Sequence, residues 1–108
     1  MNTNVTFLHC ACPDEATALH LGRWLVEQRL AACVNVLSGM TSLYRWKGEV
    51  QESQESLLVA KTTVSCQPRI LEELPKRHPY DLPEIVFFKA DFANPAFAQW
   101  ISANTLVL

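Results

Sequence analysis

The sequence predicts an α+β sandwich in the order β-α-β-β-α-β, followed by a short C-terminal helix. Three observations carry that prediction. Residues 5–12 and several later segments alternate with the period of two that a strand requires. Between them run stretches with apolar residues three and four apart, the spacing of a helix covering one face of a sheet. Length and composition set the scale: 108 residues, 49% hydrophobic and 19% charged, make one compact domain over residues 1–108.

Taken in order, Val5 to Cys12 divides into Val5, Phe7, His9 and Ala11 on one side and Thr6, Leu8, Cys10 and Cys12 on the other. Pro13-Asp14 starts a helix, with Asp14 capping free N–H groups and Glu15 favoured in the first turn. Ala18, Leu21, Gly22 and Leu25 form its apolar stripe, which predicts a helix to about Leu30. Cys33 to Leu37 is a short strand interrupted at Ser38-Gly39, and Met40 to Trp46 resumes it with Ser42, Tyr44 and Trp46 on one face. Lys47-Gly48 makes a hairpin turn, since glycine accepts the positive φ that tight hairpins need. The return strand crosses the polar residues Glu49 to Ser56 before entering the apolar run Leu57 to Ala60 and Lys61. Its polar half is a solvent-exposed arm or an edge for another subunit.

A second helix begins near Thr63 or Ser65 and turns Ile70, Leu71 and Leu74 inward. Pro68 fits the first turn, whereas Pro75 predicts a bend or stop near Leu74. Glu84 to Ala90 reads as the last core strand, apolar on both sides. Asn94-Pro95 then caps a short helix with Phe97, Trp100 and Ile101 on its apolar side, and Leu106 to Leu108 adds a last extended piece. This element order is that of a ferredoxin-like sandwich, with both main helices on one sheet face. The second face has no cover left within the chain, which points to oligomerisation.

Charge and composition exclude several classes of function. A net charge of −2 gives no basic footprint for nucleic acid. The longest apolar runs are far too short to span a bilayer, and Met1 to Asn4 lacks the features of a signal peptide, so a cytoplasmic protein is expected. Cys10, Cys12, Cys33 and Cys66 form no CxxC pair and read as reduced thiols, with Cys33 a buried core residue. Cys10 and Cys12, two apart on a strand, face the same way, where two thiols can meet one soft metal.

The segment His78-Pro79-Tyr80-Asp81-Leu82-Pro83-Glu84 is the richest in chemistry. Two prolines stiffen it, and it holds an imidazole, a phenol and a carboxylate at the mouth of a core strand.

The chain resembles the CutA family of divalent-cation tolerance proteins over nearly its whole length. The resemblance is carried by Cys10-Ala11-Cys12-Pro13-Asp14-Glu15-Ala16, by Leu30 to Asn35, by Thr41 to Gly48, by Lys61-Thr62-Thr63, and by His78-Pro79-Tyr80 with Pro83-Glu84. It implies a homotrimer whose long hairpins wrap neighbouring subunits, and an association with tolerance to copper and other divalent metal ions. It also implies copper (Cu2+ or Cu+) as the bound metal, with Cys10 and His78 as ligands. A further histidine of the family's pattern is Arg77 here, and a guanidinium cannot ligate. Cys12, His9 or His20 would have to complete the set, although His9 faces away from Cys10 along the strand.

A second constellation comprises Tyr44, Trp46, Lys61, Tyr80 and Glu84. The resemblance places such residues around a cleft between subunits, where aromatic, cationic and anionic groups together suit a small polar ligand. The simpler alternatives are a Lys61–Glu84 ion pair and a Trp46 that anchors a trimer interface. Three functions follow: a metal-binding or metal-tolerance trimer, a trimeric module like the PII-like proteins with a small ligand between subunits, and an enzyme using Lys61, Glu84 and Tyr80. The enzyme is the weakest reading, because the sequence carries no nucleophile–base pair, metal-hydrolase motif or cofactor fingerprint.

Overall fold

The computed structural model describes residues 3–108; Met1 and Asn2, part of the stretch read above for a signal peptide, lie outside it. Among the described residues the chain forms β1 (Val5–Cys12), α1 (Glu15–Glu27), β2 (Cys33–Trp46), β3 (Glu49–Thr63), α2 (Gln67–Arg77), β4 (Val86–Lys89) and α3 (Pro95–Ala103). The four strands make one antiparallel sheet in the order β2-β3-β1-β4, the ferredoxin-like topology predicted.

The inner face of the sheet carries the core. Leu8, Cys10 and Cys12 of β1 lie opposite Ala60, Leu58 and Ser56 of β3, and α1 covers them with Ala18, Leu21 and Leu25. Asp14 caps α1 as expected, its Oδ1 accepting from the Thr17 N–H at 2.7 Å. That bond holds the Asp14 carboxyl below the usual carboxylate range. Gly22 is required by close approach, since a Cβ there would lie 2.8 Å from Cγ1 of Val34 on β2. The helix stops at Glu27, short of Leu30, because Arg29 takes φ 59° and the Leu30 N–H turns back to the Leu25 carbonyl.

β2 is one strand with a bulge between Leu37 and Met40, where the interruption at Ser38-Gly39 was predicted. Lys47 and Gly48 both take positive φ, 50° and 82°, the pairing of a type I′ hairpin turn. The arm beyond the bulge is largely exposed.

Several local expectations change. A 3₁₀ turn, Val64–Cys66, precedes α2, and α2 runs through Pro75 to Arg77 instead of stopping at Leu74. Pro75 falls in the last turn on the exposed side, and Leu71, whose carbonyl its missing donor would have met, is itself exposed. The strand expected over Glu84 to Ala90 shrinks to the edge strand β4, because Pro83 has no N–H and the Glu84 carboxylate takes the Ala11 N–H in place of a ladder bond. Asn94 caps α3 by accepting from Ala96, but only Ile101 of its apolar side is buried, while Phe97 and Trp100 stack on each other near the surface. Leu106 to Leu108 form no strand; the Leu106 N–H instead donates to the Arg29 carbonyl. Cys33 is half-buried rather than core, because the register puts it opposite Lys61 on the outer sheet face. That face also carries Phe7, Val59, Val86 and Phe88, and Val86 and Phe88 remain 43% and 59% exposed.

Candidate functional site

β1 divides the chemistry of the molecule in two. Its alternation sends Cys10 and Cys12 into the core and His9 and Ala11 to the opposite face. Both thiols are completely buried, and the α2 C-terminus brings His78 down beside them, 7% exposed. The two Sγ atoms and a ring nitrogen of His78 all lie within 4.8 Å of one another. Cys10 and His78, the two metal ligands implied by sequence, are therefore brought together, with Cys12 as a third.

His78 caps α2 by donating its N–H to the Leu74 carbonyl at 3.0 Å. Its Nδ1 accepts from the Tyr80 N–H at 3.1 Å, which leaves Nε2 to donate to the Ala11 carbonyl at 2.9 Å. The ring is thus held as one neutral tautomer. A metal on either nitrogen would replace the hydrogen bond that this nitrogen now makes. Each thiol donates to a backbone carbonyl, Cys10 Sγ to Ala11 at 3.8 Å and Cys12 Sγ to Cys10 at 3.9 Å. The neighbouring Cys12 side chain and burial hold Cys10 well above the usual thiol range, and the neighbouring Cys10 side chain lowers Cys12. The charges of Glu55 and Glu84 add to the rise at Cys10. A bound cation would reverse that penalty, and two thiols with an imidazole are the donor set that soft metals take. The residues fit copper.

The other candidates for ligation lie elsewhere. His20 is exposed on α1. His9 sits on the outer face with Nδ1 3.3 Å from Glu84 Oε1. Arg77 spreads its guanidinium over the Trp24 ring, 4.2 Å from the centroid, and bonds Glu73 Oε2 at 3.1 Å.

On the outer face, the hairpin arm and the 79–84 turn enclose a cleft of about 900 Å³. Tyr44, Trp46, Tyr80 and Glu84 all line it, together with Glu55. Lys61 does not: it lies four residues along β3 from the Ala11 partner Leu57, roughly 13 Å away, with its Nζ 5.7 Å from the Phe7 ring centroid. Glu84 consequently pairs with His9 and the Ala11 N–H instead of Lys61. Sequence reasoning missed Glu55, which is buried and accepts from the Tyr80 hydroxyl at 2.6 Å. Burial, that bond and the Glu55 charge keep the Tyr80 phenol protonated well above its usual range. The available signal was position: Glu55 is the last charged residue of the arm before the strand enters the core.

The fold and these two sites define a small ferredoxin-like protein that has a buried thiol–imidazole cluster and an open aromatic cleft on opposite sides of one strand. The chain belongs to the CutA1 divalent ion tolerance protein family, whose model matches residues 6–104. It is 46% identical over 93 residues to the divalent-cation tolerance protein CutA of Thermus thermophilus, covering 86% of this chain and 90% of that one. The solved structure of the divalent cation tolerance protein Cut A1 from the same organism superposes with a TM-score of 0.90 at 42% identity, over 94% of this chain and 98% of that one. The structure of the periplasmic divalent cation tolerance protein CutA from Archaeoglobus fulgidus gives 0.89 at 25% identity, over 93% and 97%. The resemblance read from the sequence is a family membership.

Proposed function

We propose that this protein is a cytoplasmic homotrimer acting in tolerance or response to divalent metal ions, and that it binds copper (Cu2+ or Cu+) through Cys10 and His78. Membership of a divalent-cation tolerance family supports the role in metal tolerance. The observation that carries the copper reading is the convergence of buried donor atoms from β1 and the end of α2 to within 4.8 Å. The trimer is supported by the uncovered outer face, where Val86 and Phe88 of β4 remain exposed, and by the long, largely exposed hairpin arm of β2 and β3. All four cysteines are free, in keeping with a reducing compartment. No helix among the described residues is long and apolar enough to cross a membrane.

Equilibrium copper titration of the wild type, Cys10→Ser and His78→Ala, with mass in solution measured on the same samples, tests the proposal. Stoichiometric binding by a trimer, weakened in both variants, is expected. Indistinguishable binding by all three would remove the site, and a monomer in solution would remove the assembly. Cell fractionation tests the compartment, for which the Archaeoglobus relative's periplasmic description is the contrary case.

A second reading has its own observation. The cleft walled by Tyr44, Trp46, Tyr80 and Glu84 suits a small polar ligand, as in a PII-like module acting by binding rather than catalysis. A thermal-shift screen of nucleotides and metabolites is expected to return a hit that Trp46→Ala abolishes. A uniformly empty screen removes this reading.

A further inference from the structure

We infer that Cys12 is the third metal ligand, and that it makes the buried cluster a trigonal site for copper in its +1 state. The inference rests on the copper reading above and specifies which residues close the site and which ion they favour. Cys12 stands two residues from Cys10 on the same face of β1, so the strand itself aims both thiols into one space. A metal about 2.3 Å from each of two sulfurs in a trigonal arrangement holds them about 4 Å apart. The donor atoms already lie within 4.8 Å of one another, so closure requires shifts of about 1 Å together with release of the hydrogen bond on the ligating His78 nitrogen.

Among the described histidines, cysteines and carboxylates, Cys12 is the further donor that the fold brings to Cys10 and His78. Arg77 cannot ligate and is engaged with Trp24 and Glu73. His9 is on the other side of the sheet, bonded to Glu84, and His20 is exposed. Burial then selects the ion. Cys10 and Cys12 are 0% exposed, so the thiols have no contact with bulk solvent that would supply a fourth ligand. Zinc normally takes four ligands, and Cu2+ prefers tetragonal nitrogen and oxygen sets, whereas soft thiolates suit Cu(I). Binding releases both thiol protons to solvent and moves no electrons. The complex carries one net negative charge, and Cys12 stands two residues before the α1 cap, near the positive end of that helix dipole.

The test is anaerobic titration of the full chain with Cu(I) against a bicinchoninate competitor, for wild type, Cys12→Ala and Cys12→Ser. Each variant is checked for native mass and circular dichroism. X-ray absorption of copper-loaded wild type gives the ligand count without relying on any variant. Two sulfurs and one nitrogen per copper are expected, with a loss of affinity of about a hundredfold or more in both variants. One sulfur per copper, or unchanged affinity in the variants, would overturn the role of Cys12 while leaving copper binding at Cys10 and His78 standing. A wild type that takes up no copper at any competitor concentration would overturn both.

Discussion

Replacing Gly22 with alanine sets two effects of known size against each other. In a helix interior alanine is favoured over glycine by about 1 kcal/mol. Here the new Cβ would meet Val34 Cγ1 at 2.8 Å, Val34 Cβ at 3.5 Å and Leu58 Cδ1 at 3.7 Å. Comfortable carbon contacts begin at about 3.5 Å, so the first of these must open by roughly 0.7 Å. Val34 is β-branched on a paired strand and has little freedom at χ1, so relief has to come from moving α1 off the sheet. Overpacking of this kind costs about 1–3 kcal/mol. The net expectation is a destabilisation of up to about 2 kcal/mol. Denaturant unfolding at fixed protein concentration measures it, and a cycle with Val34→Ala isolates the cause. In the Val34→Ala background the clash partner is gone, and Gly22→Ala is expected to be neutral or stabilising by up to about 1 kcal/mol. Equal effects in both backgrounds would show that the close approach of helix and strand is not what requires glycine.

Three further outcomes are expected. Near-ultraviolet absorbance should show Tyr80 ionising above the ordinary tyrosine value of about 10. Because its folded pKa is raised, the stability it contributes is complete below that value and disappears as pH rises through the folded one, and Tyr80→Phe should flatten this alkaline loss while weakening the fold by about 1–2 kcal/mol at neutral pH. Asp14→Ala should lower stability at neutral pH; since the folded pKa is depressed, the difference from wild type should fade as pH falls through it, followed by thermal melts across the acid range. Lys47→Asn places a residue suited to left-handed φ in the I′ turn and should raise stability by about half a kcal/mol in denaturant unfolding.

The parts of the fold legible in the sequence are those governed by local rules. The period of two in β1 placed both thiols on one face, and the stripe Ala18, Leu21, Gly22 and Leu25 is the buried side of α1. Asp14 and Asn94 cap as their side-chain chemistry dictates. What escaped depends on groups distant in sequence. The extent of β4 turns on a carboxylate bonding a strand more than seventy residues earlier. The tautomer of His78 is fixed by the Ala11 carbonyl, and the Tyr80 partner Glu55 comes from a stretch whose polarity reads as exposed. Lys61 was placed in the cleft by its position at a strand end, but only the register shows how far along β3 it lies.

Ala11 has a side chain with nothing to contribute chemically, yet both polar groups of its backbone are held by side chains. Its carbonyl receives the His78 imidazole and its N–H is held by the Glu84 carboxylate on the wall of the cleft. The core cluster and the cleft therefore share a single peptide segment as their common partition. Moving the His78 ring breaks a bond to the same residue whose N–H the cleft-lining Glu84 holds, so a change at the cluster meets the cleft at one residue.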